Sequence, residues 1–419
     1  MSAGPHVAII GSGPAGCYTA QALRKDWPDA EITVIDRLPV PYGLIRYGVA
    51  ADHQGTKAVT KQFDRLFERA GVTFSGGVEV GLDVTLEQLA DQHDAVVLAT
   101  GCDRDRELAI AGSDLPEVYP SGPLTALLNG HPDSSTLVPR LGENVVVVGN
   151  GNVAVDVVRL LAKHPDDFAG SDLPLAIHDL VHRPGVLEVT VVGRGPAETS
   201  RFDATMIKEL GQLEGVRFVV EDVNADRESE VPQIAALAHL LEHQVGGDRV
   251  QVTFRFGWQP ESIGGDSHVE AISFISPDGR VLRLPTDSVV SAIGFDASAP
   301  LVRDAGGDLT TDGRLAPGLY CVGWARTGPR GAIPDARADA RLVASAITAD
   351  LRAAPCKGEH DPAALRATWP AVDFAAWQRI DDHERATASS GRVRNKILDH
   401  AELRRVAATT SLTSEGEQP

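Results

Sequence analysis

The stretch Val7-Ala8-Ile9-Ile10-Gly11-Ser12-Gly13-Pro14-Ala15-Gly16 decides the fold. Its four apolar, mostly β-branched residues read as a buried parallel strand. The G-x-G-x-x-G after them is a turn from strand into helix. The first glycine permits the tight bend, the second lets backbone approach a pyrophosphate, and the third lets helix pack on strand. A pyrophosphate then lies at the helix N-terminus, where Pro14 and Ala15 open the first turn. The helix pattern runs from Pro14 to Arg24, and Ile32-Thr33-Val34-Ile35 is the next strand. Asp36 ends that strand, with Arg37 beside it as a further residue expected to bind the dinucleotide. A carboxylate there accepts both ribose hydroxyls of an unphosphorylated adenosine. The hexapeptide alone also fits a glycine-rich turn without ligand; strand, helix and Asp36 together favour a dinucleotide.

The same order restarts near residue 145. Val145 to Val148 is a strand, Gly149-Asn150-Gly151-Asn152-Val153-Ala154 is G-x-G-x-x-A, and Val153 to Lys163 is a helix. The following strand, Leu187 to Val192, ends in Gly193-Arg194-Gly195 and carries no terminal acid. A cation at that place suits a 2′-phosphate. Arg201 lies within reach of the same task, and an exposed strand-end arginine is the plainer alternative for Arg194. One βαβ module thus appears twice. The first loop reads as an FAD site and the second as an NADPH site, with NADH also open to it. Two dinucleotide sites in one chain point to a two-cofactor oxidoreductase.

Between these modules, Gly48 to Gly55 reads as loop, and Thr56 to Ala70 as an amphipathic helix with Val59, Phe63, Leu66 and Phe67 on one face. Ala95 to Ala99 is a buried strand that runs into Thr100-Gly101; Ser291-Ala292-Ile293-Gly294 echoes that ending. Residues 106–139 form a punctuated crossover, and 164–185 a long polar connection. Met206 to Leu213 is helical. Val250 to Trp258, Val269 to Ser276 and Val281 to Leu284 read as a meander. Gly318 to Gly323 is a last buried strand and Ala338 to Leu351 a helix, and the polar tail after Ala408 reads as disordered.

Composition narrows the function. The chain has 419 residues, enough for two or three domains. Its formal charge of −19 excludes a general binder of nucleic acid or anionic membranes. Cys17, Cys102, Cys321 and Cys356 are far apart in sequence, which removes C-x-x-C redox pairs, zinc ribbons and closely spaced iron–sulfur ligands. No metal site is expected. No apolar run approaches the roughly 20 residues of a membrane span, and the start carries no signal-peptide pattern. A cytoplasmic protein with reduced thiols is expected.

Three longer motifs carry a family resemblance. Leu38-Pro39-Val40-Pro41-Tyr42-Gly43-Leu44-Ile45-Arg46-Tyr47-Gly48-Val49-Ala50-Ala51-Asp52-His53 follows the first loop. Gly149 to Arg159 reads GNGNVAVDVVR, and Gly323 to Ile333 reads GWARTGPRGAI. With Trp377 to Lys396, these resemble the adrenodoxin reductase family, including its bacterial NADPH–ferredoxin reductases, over nearly the whole chain. The resemblance implies an α/β, glutathione-reductase-like pair of Rossmann-type dinucleotide-binding domains. The FAD domain would be discontinuous, residues 1–104 and 297–419, with an NAD(P) domain at 105–296. It implies hydride transfer from NADPH to flavin, then single electrons to a ferredoxin or other small iron–sulfur protein, which can in turn feed a cytochrome P450.

Roles follow for matched positions. Gly11, Gly13, Gly16 and Asp36 would hold FAD, with Leu44 by the flavin and Trp324, Gly331 and Ile333 closing over it. Gly149, Asn150, Gly151, Asn152 and Val153 would cradle the NADP pyrophosphate. His53, Asp156 and Glu209 match polar residues near the nicotinamide and flavin; a turn histidine, a solvated helix face and an exposed helix acid are their plainer alternatives.

The sequence departs from the family in three places. Arg194-Gly195 replaces two consecutive arginines, weakening the preference for NADPH. Pro334-Asp335-Ala336 replaces Gly-Thr-Asn after Ile333. Residues 234–245 carry no Lys or Arg where family members offer cations to an acidic ferredoxin, leaving Arg201, Lys208 and Arg217 as docking residues. Two other functions fit the same loops: an NAD(P)H-dependent flavin reductase or oxidase acting on a small organic acceptor or quinone, and a flavin-binding subunit without turnover.

Overall fold

The computed structural model describes residues 4–102, 104–134, 136–182, 185–296, 300–306, 309–354 and 360–409. The tail expected to be disordered lies largely outside these residues, as does Cys356.

Two six-stranded sheets organise the chain. The first takes β1 (His6–Ile10), β2 (Glu31–Asp36), β3 (Val72–Gly76) and β4 (Ala95–Leu98) from the N-terminal part, with β14 (Arg314–Ala316) and β15 (Leu319–Cys321) from far along the chain. Its order is β14-β15-β4-β1-β2-β3, parallel except for β14 against β15. The second takes β5 (Val118–Pro120), β6 (Asn144–Val148), β7 (Glu188–Gly193), β8 (Val216–Val220), β9 (Val250–Phe256) and β13 (Ser288–Ser291). Its order is β5-β13-β6-β7-β9-β8, parallel throughout. A three-stranded antiparallel sheet, β10 (Gln259–Gly264), β11 (Ala271–Ile275) and β12 (Val281–Pro285), lies between β9 and β13 in sequence. Strands β1, β4 and β6 are buried nearly end to end, as helix-covered parallel strands require. Each fully buried Val, Ile or Leu contributes about 1.5–3 kcal/mol of apolar transfer.

The helices that matter for the site are α1 (Pro14–Asp26), α2 (Thr60–Glu68), α3 (Asn152–Ala162), α4 (Ala204–Leu210), α5 (Pro232–His243), α6 (Ile333–Ala353), α7 (Phe374–Ala386) and α8 (His400–Ala408). Helices α1 and α6 pack on one another beside the first sheet.

Three expectations need correction. Val250–Trp258 does not join the meander. Strand β9 pairs in parallel between β7 and β8, and its run of buried residues is the mark of a central strand. The meander's first strand is instead β10, which Pro260, Glu261 and Gly264 disguise. The helix expected over 56–70 is split: a helical turn covers Gln54–Lys57 and α2 begins at Thr60. The break turns the Lys57 ammonium inward to Asn129 Oδ1 at 2.8 Å and Asp172 Oδ1 at 2.8 Å. Finally, the polar connection over 164–185 contains a helix, Leu175–Val181.

Part of that connection docks against distant segments. Gly170 N donates to Gly391 O at 2.6 Å, Val393 N to Ser171 O at 3.0 Å and Asp172 N to Ala51 O at 2.9 Å. There Asp172 accepts from two buried lysines, Lys57 and Lys396, the latter at 3.0 Å. Burial and the neighbouring Lys57 charge push the Lys396 ammonium well below its usual pKa. Beside them the buried Arg46 pairs with Glu384 at 2.6 Å.

Candidate functional site

The two glycine-rich turns are built alike. Gly11 has φ +109 and Gly149 has φ +116. A Cβ on Gly11 would collide with the Ala99 carbonyl, and one on Gly149 with the Ala292 carbonyl. Gly16 packs directly on the Gly11 carbonyl, so helix meets strand without a side chain between them. At the middle glycines, Gly13 and Gly151, a Cβ would meet nothing within 4 Å. The turns are closed where protein must pack and open where a pyrophosphate would approach the helix N-terminus.

Around the first turn, Asp36 Oδ2 accepts from Ser12 N at 2.9 Å and Ser12 Oγ at 2.5 Å, and Oδ1 accepts from Leu38 N at 3.0 Å. Burial raises the Asp36 pKa against these bonds. A carboxylate offers about four acceptor positions, so roughly one is left for a ribose hydroxyl while Ser12 stays in place. Arg37 points elsewhere, pairing with Asp133 at 2.6 Å. Tyr42, at φ +85, donates its N–H to Ser12 O at 3.2 Å. Gly43 follows at φ +45, where a Cβ would stand 3.1 Å from Gly13 Cα. Leu44 then stands 43% exposed, unusual for a leucine beside buried Ile45 and Tyr47.

The 323–333 segment returns to the same place. A Cβ on Gly323 would strike the Ala15 side chain. Trp324 Nε1 donates to Arg330 O at 2.9 Å, and its ring lies 5.9 Å from that of Phe295. Gly331, at φ +80, is wedged against Asp335, whose Oδ2 accepts from Ala332 N at 2.7 Å. Ile333 opens α6 and packs on the core. Pro334 falls in the first turn, where an N–H has no intrahelical partner to lose, so this departure does not damage the helix.

In the second turn, Asn150 Nδ2 donates to Ser200 Oγ at 2.9 Å and Asn152 Oδ1 accepts from Asp203 N at 2.7 Å. Val153 is partly exposed in the first turn of α3. Arg194 and Arg201 are both exposed, and neither forms an ion pair among the described residues. Beyond Gly195 lies a cavity of about 300 Å³ whose lining includes Glu198, Asp222 and Phe256. Asp222 is committed, accepting from Trp258 Nε1 at 2.9 Å and Arg255 at 3.3 Å. Glu198 makes no ion pair among the described residues. Strand-end reasoning missed this acid because it stands four residues beyond Arg194.

His53, Asp156 and Glu209 come together. His53 Nδ1 is 3.9 Å from Asp156 Oδ1 and Nε2 is 3.8 Å from Glu209 Oε2. Asp156 is one turn into α3, just behind the second glycine turn, and Glu209 is on α4. The imidazole therefore links a segment following the first sheet's opening strands to two helices of the second. Asp156 is also 2.9 Å from Arg159, and its pKa is raised by burial despite that cation. Arg159 and Lys163 converge on Asp52, Lys163 at 2.9 Å. Burial opposes ionisation of Asp52, yet Arg159 and Lys163 hold its carboxyl down at about 2. Asp52 and Arg159 were not singled out from the sequence, although each lies within a quoted motif.

A family model described as pyridine nucleotide-disulphide oxidoreductase matches residues 5–321. The chain belongs to this family. Within the pyridine nucleotide-disulphide oxidoreductases it is 43% identical to cindoxin reductase from Citrobacter braakii over 95% of this chain and 90% of that one. It is 32% identical to the mitochondrial NADPH:adrenodoxin oxidoreductase of Bos taurus, covering 96% of this chain and 92% of the relative. FprA of Mycobacterium tuberculosis, solved in complex with NADPH, superposes with a TM-score of 0.88 at 32% identity, over 96% of this chain and 99% of that one. These likenesses confirm the adrenodoxin reductase resemblance and the paired α/β fold. Among the described residues no disulphide answers to the family's name: Cys17, Cys102 and Cys321 are buried thiols.

Proposed function

We infer that this chain is an NADPH-dependent, FAD-containing reductase that passes electrons to a small iron–sulfur protein of ferredoxin type. The single observation that carries this reading is the meeting of His53 with Asp156 and Glu209 in a chain with two glycine turns, each open at the middle glycine. The adrenodoxin and cindoxin reductases among its relatives give the acceptor class, and the mycobacterial complex gives NADPH.

The residues present fit both nucleotides. Gly11, Gly13 and Gly16, with Pro14 and Ala15 opening α1, would hold the FAD pyrophosphate, and Asp36 its adenosine ribose. Leu44, Trp324, Gly331 and Ile333 would bound the isoalloxazine, with Arg37 serving the fold through Asp133. Gly149 to Val153 would hold the NADPH pyrophosphate, and Arg194 its 2′-phosphate. FAD, when bound, supplies hydride acceptance and one-electron release. The protein's part is to align the nicotinamide, exclude water and fix the polar edge of the site. His53 does the last, flanked by Asp156 and Glu209. Residues 1–104 and 297–419 would form the FAD unit and 105–296 the NADPH unit. We place the chain in the cytoplasm, in keeping with its bacterial relatives; among the described residues no helix is long and apolar enough to cross a membrane. An iron–sulfur acceptor reduced here can serve a cytochrome P450.

Anaerobic stopped-flow mixing with NADPH and NADH in parallel tests the reading. Rapid bleaching of the flavin by NADPH, followed by reduction of adrenodoxin, supports it. A flavin that neither nucleotide reduces overturns it, and a flavin that reduces quinones but no iron–sulfur protein replaces the acceptor.

A further inference from the structure

Arg159 of α3 is only 6% exposed, and its fork spans two carboxylates. Nη1 donates to Asp52, and Nη2 donates to Asp156 Oδ1 at 2.9 Å. That same Asp156 oxygen stands 3.9 Å from His53 Nδ1. Asp52 is joined to His53 by their peptide bond. The four residues therefore close a ring: Asp52, Arg159, Asp156, His53 and back through the chain. Asp156, Arg159 and Lys163 recur at i, i+3 and i+7, so one face of α3 builds its side of the ring. The turn that carries His53 is held as well, with His53 N donating to Ala50 O at 3.0 Å and Lys57 N to His53 O at 3.1 Å.

The charges around the imidazole are balanced. From α3 come Asp156, Arg159 and Lys163, and from α4 comes Glu209, 3.8 Å from Nε2, with Lys208 before it in sequence. Asp52 is the chain neighbour, and Lys57 is turned away to Asp172. Helix Ser121–Leu128 and strand β6, also packed on α3, carry no charged side chain. Glu188 of β7 is exposed, and Arg255 of β9 is engaged by Glu221 and Asp222. Asp52 and Asp156 thus cancel Arg159 and Lys163, and the guanidinium decides how much of Asp156 is left for His53. Stability alone does not explain the cluster. Arg159 Nε and Asp52 Oδ1 are buried without a hydrogen-bond partner among the described residues, and a buried ion cluster is often matched in stability by apolar side chains. Resting on the reading of His53 as the polar edge of the redox site, we propose that Arg159 is the positioning residue of that site: by bridging Asp52 and Asp156 it fixes the His53 ring and sets the pH at which the His53–Asp156 pair takes up a proton. The fork of an arginine can hold two carboxylates at once, whereas a lysine offers one point of charge. His53 and Asp156 titrate as a pair, so a cation removed from beside Asp156 favours the protonated form of both.

The experiment follows the His53 ring by NMR in the FAD-loaded enzyme labelled at histidine, its signal assigned by its loss in His53→Gln. Arg159→Met should move the ring's titration up by about one pH unit, because a neighbouring positive charge is gone. Lys163 stays on Asp52 at 2.9 Å in that variant and keeps the turn in place. Asp52→Asn should move the titration down, because a negative charge is gone and the guanidinium is left to Asp156 alone. Arg159→Lys should return it close to the wild-type pH. Stopped-flow reduction of the flavin by NADPH should slow about tenfold or more in Arg159→Met, as a displaced imidazole requires. A ring that titrates at the same pH in the wild type, Arg159→Met and Asp52→Asn overturns the proposal. Should the methionine variant fail to fold, the downward shift in Asp52→Asn decides, and its absence overturns the proposal equally. If the titrations move as expected while His53→Gln leaves flavin reduction by NADPH unchanged, the coupling stands and the reading of His53 as part of the redox site fails instead.

Discussion

Ser12 and Asp36 are locked to each other: one carboxylate oxygen of Asp36 takes both the backbone N–H and the hydroxyl of Ser12, at 2.9 and 2.5 Å. The bond joins the glycine turn to the end of the neighbouring strand. It fixes the distance between the pyrophosphate and ribose ends of the proposed nucleotide site.

From this pairing, Asp36→Ala should weaken FAD retention by roughly 10–150-fold, the loss of one charged hydrogen bond or slightly more. Ser12→Ala should cost less, because its backbone donor survives. Equilibrium dialysis of the apoprotein against FAD reads both values. The flavin released on denaturation should be FAD; FMN would remove the adenosine role of Asp36.

The exposed Arg194, with Glu198 four residues on in sequence and no second arginine beside it, leads to a modest preference for NADPH over NADH. Arg194→Ala should raise the NADPH constant roughly 10–150-fold and leave NADH nearly unchanged. Glu198→Gln should sharpen the preference by removing a carboxylate that repels a 2′-phosphate. Equal weakening of both nucleotides in Arg194→Ala would show a structural arginine.

Asp52 links pH to stability. Its folded pKa, about 2, lies below the ordinary value of 3.8. A depressed carboxylate stabilises the fold above its unfolded pKa, and that stability drains away as pH falls through the folded value. Asp52→Asn should therefore cost about 2 kcal/mol at neutral pH. The gap between variant and wild type should close between about pH 4 and 2. Urea unfolding across that range measures it.

With its described cysteines buried and joined in no disulphide, the protein should accept one two-electron equivalent per chain from dithionite. A second equivalent would expose another redox centre.

Much of the fold was legible because the turns announce themselves. Gly11 and Gly16 are glycines for packing reasons, the first repeated at Gly149, while Gly13 and Gly151 stand equally open. The apolar strands β1, β4 and β6 are buried on both faces, so they read as unbroken runs. What escaped was set by tertiary context. Strand β9 looked like part of a meander because one sequence pattern serves a central parallel strand and an antiparallel one. Lys57 looked like an ordinary helix cation, and only the arrival of Asn129 and Asp172 from elsewhere shows why the helix breaks beside it. Glu198 escaped because the turn after β7 folds it back toward a cavity that sequence distance does not reveal.

The shared grip of Lys57 and Lys396 on Asp172 bears on how such a protein can be re-engineered or inherited. A segment exchange that swapped residues 105–296 for a relative's, to import a different nucleotide preference, would also remove Asp172 and Asn129 from beneath two ammonium groups already sealed from water. Buried charge without its partner is among the costliest errors a chimera can contain. The two halves resemble interchangeable modules in sequence, yet they are matched as a key is to its lock, and a successful graft must carry the 129 and 172 positions of the host along with it.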